Sequence, residues 1–193
     1  MAKSSRENEI KLAFPSPEAA VRKLLEAGAR ADRARAFEDN VLYDFDDRAL
    51  WKSDRLLRLR RARGSALLTF KGPVAGEHRH KVKIEHETEV ADPDALGRIL
   101  RGLGLAPVYR YQKYRTTFQL NEVEASVDET PLGTFVELEG SPDEVDRAAA
   151  SLGASAADFI RSTYRDLQER DAEVRGIIAG DLLMPPPGTD EPA

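Results

Sequence analysis

Residues Glu7 to Phe14 read ENEIKLAF, and the reading of this stretch decides the fold. Glu7, Glu9 and Lys11 fall on odd positions, while Ile10, Leu12 and Phe14 fall on even ones. A period of two is the signature of a β-strand, here with one charged face and one apolar face. In an ordinary antiparallel sheet the charged face is the wet outside. Whether that holds here depends on the strands that follow.

The same division recurs along the chain. Arg58 and Arg60 alternate with Leu57 and Leu59, and Leu67, Thr69 and Lys71 with Leu68 and Phe70. In KVKIEHETEV, Lys81, Lys83, Glu85, Glu87 and Glu89 oppose Val82, Ile84 and Val90. Lys113 and Arg115 flank Tyr114; Glu122, Glu124, Ser126 and Asp128 oppose Val123, Ala125 and Val127; Glu137 and Glu139 oppose Val136 and Leu138. Charges of one sign share a strand, with acids on the first and last segments and bases on RLR and KYR. A face that needed only to dissolve would intersperse them. Guanidinium groups two apart point the same way and suit phosphate oxygens. Carboxylates two apart converge likewise and suit Mg²⁺ or Mn²⁺. If the sheet closes, these faces share one interior. Such an interior is costly unless its ions are paired, hydrated or bound to a ligand. The apolar faces then lie outside, under helices.

The helices are signalled clearly. Ser16-Pro17, Asp92-Pro93 and Ser141-Pro142 each open an amphipathic stretch, and Gly28, Gly102/Gly104 and Gly153 close them. A last helix is expected from about Ser155, carrying Phe159, Ile160, Tyr164 and Leu167. Further strands are expected at NVLYDFDD, from Asn40, and across YRYQKYRTTFQL, with turns at Arg63-Gly64-Ser65, Gly72-Pro73 and Pro131-Leu132-Gly133. The order of strand, helix, several strands, helix, several strands and helices predicts an α+β protein with an antiparallel sheet or barrel.

Composition sets the outer limits. The chain has 193 residues, 33% of them charged, yet a net charge of only −5. Mixed signs ask for neither nucleic acid nor an acidic membrane as partner. Cysteine is absent, which excludes disulfides, thiolate metal sites and a cysteine nucleophile. No apolar run reaches the length of a membrane span, so a soluble cytoplasmic protein, monomer or homodimer, is expected. Residues 1–175 read as one domain and 176–193 as a C-terminal extension whose end, MPPPGTDEPA, reads as a loose tail.

ENEIK matches the ExExK signature, and LRLR, LTFKGP, KVKIEHETE, KYR, VDETPLGTF and VELEG follow in order. In these blocks the chain resembles the CYTH superfamily, the triphosphate tunnel metalloenzymes, over roughly residues 5 to 170. The resemblance implies an eight-stranded antiparallel β tunnel with helices packed outside, dependence on Mg²⁺ or Mn²⁺, and a small-molecule triphosphate substrate. It implies metal-side carboxylates at Glu7, Glu9, Glu85, Glu87, Asp128, Glu137 and Glu139. It implies triphosphate-holding cations at Arg58, Arg60, Lys71, Lys81, Lys83, Lys113 and Arg115. Lys11 would sit beside the scissile phosphate and, with Glu9, act in catalysis by orienting or deprotonating the attacking group. Hydrolysis of an inorganic or organic triphosphate is the first expectation, since water is the default nucleophile of such a site. Class IV adenylyl cyclase chemistry, giving cyclic AMP and pyrophosphate, is the second, and a non-catalytic polyphosphate-binding module the third.

Other residues carry weaker signals. His78 and His80 read as solvated loop residues rather than metal ligands. His86, on the apolar side of its strand, is expected at a helix or rim. Tyr109, Tyr111 and Tyr114 are expected to be barrel structure, with one of them able to stack on a base. Trp51 is expected in a loop as a surface cover. Ser162 and Tyr164 match a position where the last helix plugs the tunnel in the family, with plain packing as the other reading. Gly72 and Gly76 do not form a phosphate-cradling loop, because no helix follows them.

Overall fold

The computed structural model describes residues 3–74 and 81–185, with residues 3–7 and 81 described by backbone alone. His78, His80, Gly76 and the tail from Pro186 lie outside the described residues. Eight antiparallel strands close into a barrel in the order β1-β5-β4-β3-β2-β6-β7-β8. They are β1 (Lys3–Phe14), β2 (Arg30–Asp44), β3 (Leu56–Ala62), β4 (Ser65–Pro73), β5 (Lys81–Glu89), β6 (Ala106–Leu120), β7 (Val123–Thr130) and β8 (Gly133–Glu139). Among the described residues five α-helices lie outside: α1 (Pro17–Glu26), α2 (Ala49–Lys52), α3 (Pro93–Gly102), α4 (Pro142–Ser151) and α5 (Tyr164–Arg175). No helix among the described residues is long and apolar enough to cross a membrane.

Local chemistry builds these elements. The Ser16 hydroxyl accepts from the Ala19 amide to cap α1, and the Asp92 carboxylate accepts from the Asp94 and Ala95 amides to cap α3. Ser141 opens α4 without capping its backbone; its hydroxyl meets Glu144 instead. Between β3 and β4, Arg63 and Gly64 both take positive φ, 54° and 76°, which matches the twist a tight hairpin requires.

The apolar faces point outward and are buried there. Ile10 and Leu12 of β1, Val123, Ala125 and Val127 of β7, and Val136 and Leu138 of β8 form one core with Ala20 and Leu24 of α1 and Val145 and Ala149 of α4. Each fully buried aliphatic side chain in that layer contributes roughly 1.5–3 kcal/mol. A second cluster packs Leu100 of α3 with Tyr43, Leu59 and Ala66 on the outside of β2, β3 and β4. The outer face of β5 is less covered: Ile84 is 39% exposed, and His86 is exposed with its ring stacked on Phe70 at 6.3 Å.

Three elements differ from their sequence expectations. β2 begins at Arg30, ten residues before the expected Asn40, and ends at Asp44, where the Asp44 carboxylate accepts from the amides of Phe45, Leu50 and Trp51. Trp51 therefore sits on a short helix rather than in a loop. The last helix starts at Tyr164 and not near Ser155. The Ser155–Asp158 capping box supports only one 3₁₀ turn, and the chain is then drawn out straight by paired backbone bonds between Ile160 and Lys11, both 2.9 Å. Part of the expected C-terminal extension is tied down: Leu182 bridges to Tyr111, and the amide of Met184, first residue of the expected loose tail, donates to Gln112 Oε1.

Candidate active site

Because paired residues in an antiparallel ladder point to the same side, the register shows how the inner face is assembled. Glu9 pairs with Glu139 and Lys11 with Glu137; Glu139 pairs with Glu124 and Glu137 with Ser126. Arg58 pairs with Thr69 and Arg60 with Leu67; Thr69 pairs with Glu87 and Lys71 with Glu85. Arg115 pairs with Asp128, and Lys113 with Glu38. All these side chains share the interior. Glu9 and Lys11 of ENEIK turn inward, and the sheet is inside-out.

The cavity inside the barrel has a volume of about 450 Å³, within the range of small-molecule sites. On its basic wall stand Arg58, Arg60, Lys71, Lys113 and Arg115; on its acidic wall stand Glu9, Glu85, Glu137 and Glu139, and Glu87 also lines it. Lys83 is drawn instead to Asp54 and does not line the cavity. Glu7 pairs with Lys83 and Lys81 with Glu9 along the β1–β5 ladder, which gives both an inward register position.

Asp128 occupies a different place from the other carboxylates. It is fully buried and accepts from Lys113 Nζ at 2.7 Å, Arg115 Nε and Nη2 at 2.6 Å each, and the Tyr164 hydroxyl at 2.6 Å. Four donors saturate it, so it anchors the basic wall rather than facing the cavity. Tyr164, at the start of α5, thereby reaches inside the barrel, its ring 5.6 Å from that of Phe135. Both the plugging and the packing readings of this position are realised by one side chain.

Two buried groups were not legible from sequence patterns. Glu38 and Asn40 face inward on β2 between the basic strands, and Glu38 lies 3.5 Å from Arg60 and 3.8 Å from Lys113. The Asn40 amide and the Nε atoms of Arg58 and Arg60 have no protein hydrogen-bond partner among the described residues. Donors left over in a cationic interior are what an oxyanion would take up. The alternation that marks the inner face was visible from Asn40 onward, but NVLYDFDD opens on a neutral residue and so signalled no charge.

The electrostatics follow from this packing. Burial disfavours the Lys11 ammonium, but the Glu137 and Glu9 carboxylates more than offset it and hold its pKa above the ordinary lysine value. Burial likewise opposes the Glu137 carboxylate, which Arg115, Lys11 and Lys113 keep well below the usual range. Glu38 is pulled down to about 2, burial being overcome by Lys113, Arg115, Arg60 and Arg58. Glu139 goes the other way: burial, and the negative charges of Glu124, Glu85 and Glu9, raise it. A carboxylate crowded by carboxylates is a place where a cation lowers the free energy. Among the described residues, no three acidic or histidine side chains stand together as a ready-made metal cage. Glu9 and Glu137 hold Lys11, and Glu85 holds Lys71 at 2.9 Å. The donor set itself, all hard carboxylate oxygen, fits Mg²⁺ or Mn²⁺.

The blocks that build this inside-out barrel, with its opposed basic and acidic walls, match a known domain. The CYTH domain family model matches residues 5–171. The chain belongs to the CYTH domain family. This CYTH protein is 27% identical over 173 residues to a Methanocaldococcus jannaschii protein named "Putative adenylate cyclase", a match covering 84% of this chain and 98% of that one. A solved "putative adenylate cyclase" from Vibrio parahaemolyticus superposes with a TM-score of 0.74 at 20% identity, covering 86% of this chain and 98% of that one. A Hippeastrum protein, described as a putative adenylyl cyclase with a dominant triphosphatase activity, superposes with a TM-score of 0.56 at 16% identity. That match covers 90% of this CYTH protein and 96% of the Hippeastrum chain.

Proposed function

We propose that this CYTH protein is a divalent-metal-dependent hydrolase of a triphosphate. The observation that carries the reading is the opposition of a basic wall to a carboxylate wall across one cavity inside the barrel. Arg58, Arg60, Lys71, Lys113 and Arg115 bind the phosphate oxygens, with Lys81 contributing from its inward position on β5. Asp128 and Glu38 hold Arg60, Lys113 and Arg115 in place before a ligand arrives, so little reorganisation of these three is needed when it does. Glu9, Glu85, Glu137 and Glu139, with Glu7 and Glu87, would hold Mg²⁺ or Mn²⁺. When bound, the metal supplies charge neutralisation on the phosphates and a more acidic water. Lys11, kept charged by its two carboxylates, orients the attacked phosphate by its positive charge rather than removing a proton.

The testing experiment is a product assay with Mg²⁺ and separately Mn²⁺ on tripolyphosphate, ATP and thiamine triphosphate. Orthophosphate without cyclic nucleotide is the expected result. Adenylyl cyclase activity is the second reading, favoured by the names of the relatives; it requires cyclic AMP with stoichiometric pyrophosphate. Tight binding with no turnover of any substrate would replace both with a polyphosphate-binding module.

A further inference from the structure

The rungs of the β-ladder decide which interior cations are spent on carboxylates. Where a base and an acid are paired on adjacent strands, they meet directly. Lys71 pairs with Glu85 and lies 2.9 Å from its carboxylate; Arg115 pairs with Asp128 and lies 2.6 Å from it. Arg58 is placed otherwise. Its partner on β2 is Leu42 and its partner on β4 is Thr69, and Thr69 in turn pairs with Glu87 of β5. The acid of that rung, Glu87, keeps its Oε2 4.0 Å from Arg58 Nη2. Between them stands the hydroxyl of Thr69, a fully buried residue. It donates to Glu87 Oε2 at 2.7 Å and accepts from Arg58 Nη2 at 3.3 Å. That polarity is forced, since an ionised carboxylate has no proton to give and a guanidinium has no acceptor. The Arg58 Nη1 donates to the Tyr111 hydroxyl at 3.3 Å, and Nε has no hydrogen-bond partner among the described residues. Arg58 is thus held by hydroxyls where its neighbours are held by carboxylates.

We propose that Thr69 is a positioning residue for the phosphate site: a neutral spacer that keeps Arg58 and Glu87 from pairing and leaves the guanidinium fork to a phosphate. This rests on the reading of the basic wall as the phosphate-binding side and adds a residue to it. A direct guanidinium–carboxylate pair occupies the same fork that would clasp an oxyanion. An Arg58 already paired with Glu87 would have to break that pair before binding. A hydroxyl neutralises nothing; it aims the fork and leaves the charge in place. The β-branch of threonine restricts χ1, which holds the oxygen in the gap. Glu87, which also lines the cavity, keeps its own charge for a cation by the same device. Without the hydroxyl the two ions need only close from 4.0 Å to the ~2.8 Å of a charge-assisted bond.

The test is a double-mutant cycle on the full-length protein, with metal-free tripolyphosphate binding read by calorimetry. Thr69→Val, close to isosteric, should weaken binding about tenfold, the loss of one hydrogen bond to a charged group. Thr69→Ala should do the same with less bulk, and Thr69→Ser should bind nearly as the wild type does. Glu87→Gln should restore most of the loss in the Thr69→Val background and change the wild type little, a coupling that a merely structural threonine would not produce. Equal effects of Glu87→Gln in both backgrounds, or a Thr69→Val affinity equal to wild type, would overturn the proposal and leave the phosphate reading of the wall standing. A wild type that binds no tripolyphosphate removes that reading instead. The crystal structure of Thr69→Val then decides the spacer: a direct Arg58–Glu87 pair is expected, and a separation still near 4.0 Å overturns it.

Discussion

The two faces of β8 are one residue apart and belong to different kinds of matter. Val136 and Leu138 are completely buried on the outside, against helices and neighbouring strands, where nothing ionises. Glu137 and Glu139 point inward among Lys11, Arg115 and further carboxylates. The outer face repeats the physics of any dry core: apolar area leaves water and the fold gains stability. The inner face does the opposite, since ions are taken from water and recover only part of the cost from their partners. Stability and chemistry are thus assigned to opposite sides of one wall, and substitutions on the two sides should separate them.

The largest effect belongs outside. Leu138→Ala leaves a cavity in a fully packed layer and should cost about 2–5 kcal/mol in denaturant unfolding, with triphosphate affinity unchanged in the protein that remains folded. A shift in affinity of equal size would mean the wall does not insulate its faces. Inside, Glu9→Ala should lower metal-dependent turnover on the order of 10²-fold or more while far-UV circular dichroism is preserved. Unaltered turnover removes Glu9 from the metal-side set. Glu38→Gln tests an interior charge that does serve stability. Its pKa is depressed from 4.5 to about 2, so its contribution is full above pH 4.5 and fades as pH falls toward 2. By linkage the wild type should exceed the variant by on the order of 3 kcal/mol at neutral pH, with the gap closing over that window. A pH-independent gap would place the effect in packing.

Arg60→Ala should weaken tripolyphosphate binding by roughly 1.5–3 kcal/mol, the worth of a charged hydrogen bond, read by calorimetry. The smallest effect is a slope. Because the pKa of Glu139 is raised by burial and its carboxylate neighbours, protons compete with metal there at a higher pH than at an ordinary glutamate. Mg²⁺ affinity should fall as pH drops into the weakly acid range, and Glu139→Gln should flatten that fall.

The alternation of ENEIK, RLR and VELEG was enough to expect an inverted barrel, because a closed sheet leaves only two places for two faces. The starts of three helices were equally plain, since Ser or Asp before Pro has a local cause. The first ten residues of β2 were not legible. Arg30 to Arg35 are exposed and their ladder to β6 is irregular, so neither face is marked by burial. The site was legible where a charge sat on an alternating strand, as at Arg58 or Glu137. Its supports were less so. Nothing in the sequence says that Asp128 meets Tyr164, thirty-six positions away, or that Asp44 steers Trp51. These contacts exist only after the chain has folded back, and they carry no local period. Lys83 shows the converse: its strand position was right, but a nearby aspartate drew the side chain elsewhere.

The short pairing of residues 181–184 with β6 has its own consequence. β7 reaches β6 only from Tyr114 onward, which would leave the backbone before that point with a bare hydrogen-bonding margin. Leu182 closes it by giving its amide to Arg110 and its carbonyl to Gln112. An uncovered strand margin invites a strand from another molecule. Residues 181–184 are therefore a seal over that margin, and shortening the protein before Asp181 should be read first as a loss of solubility rather than of chemistry.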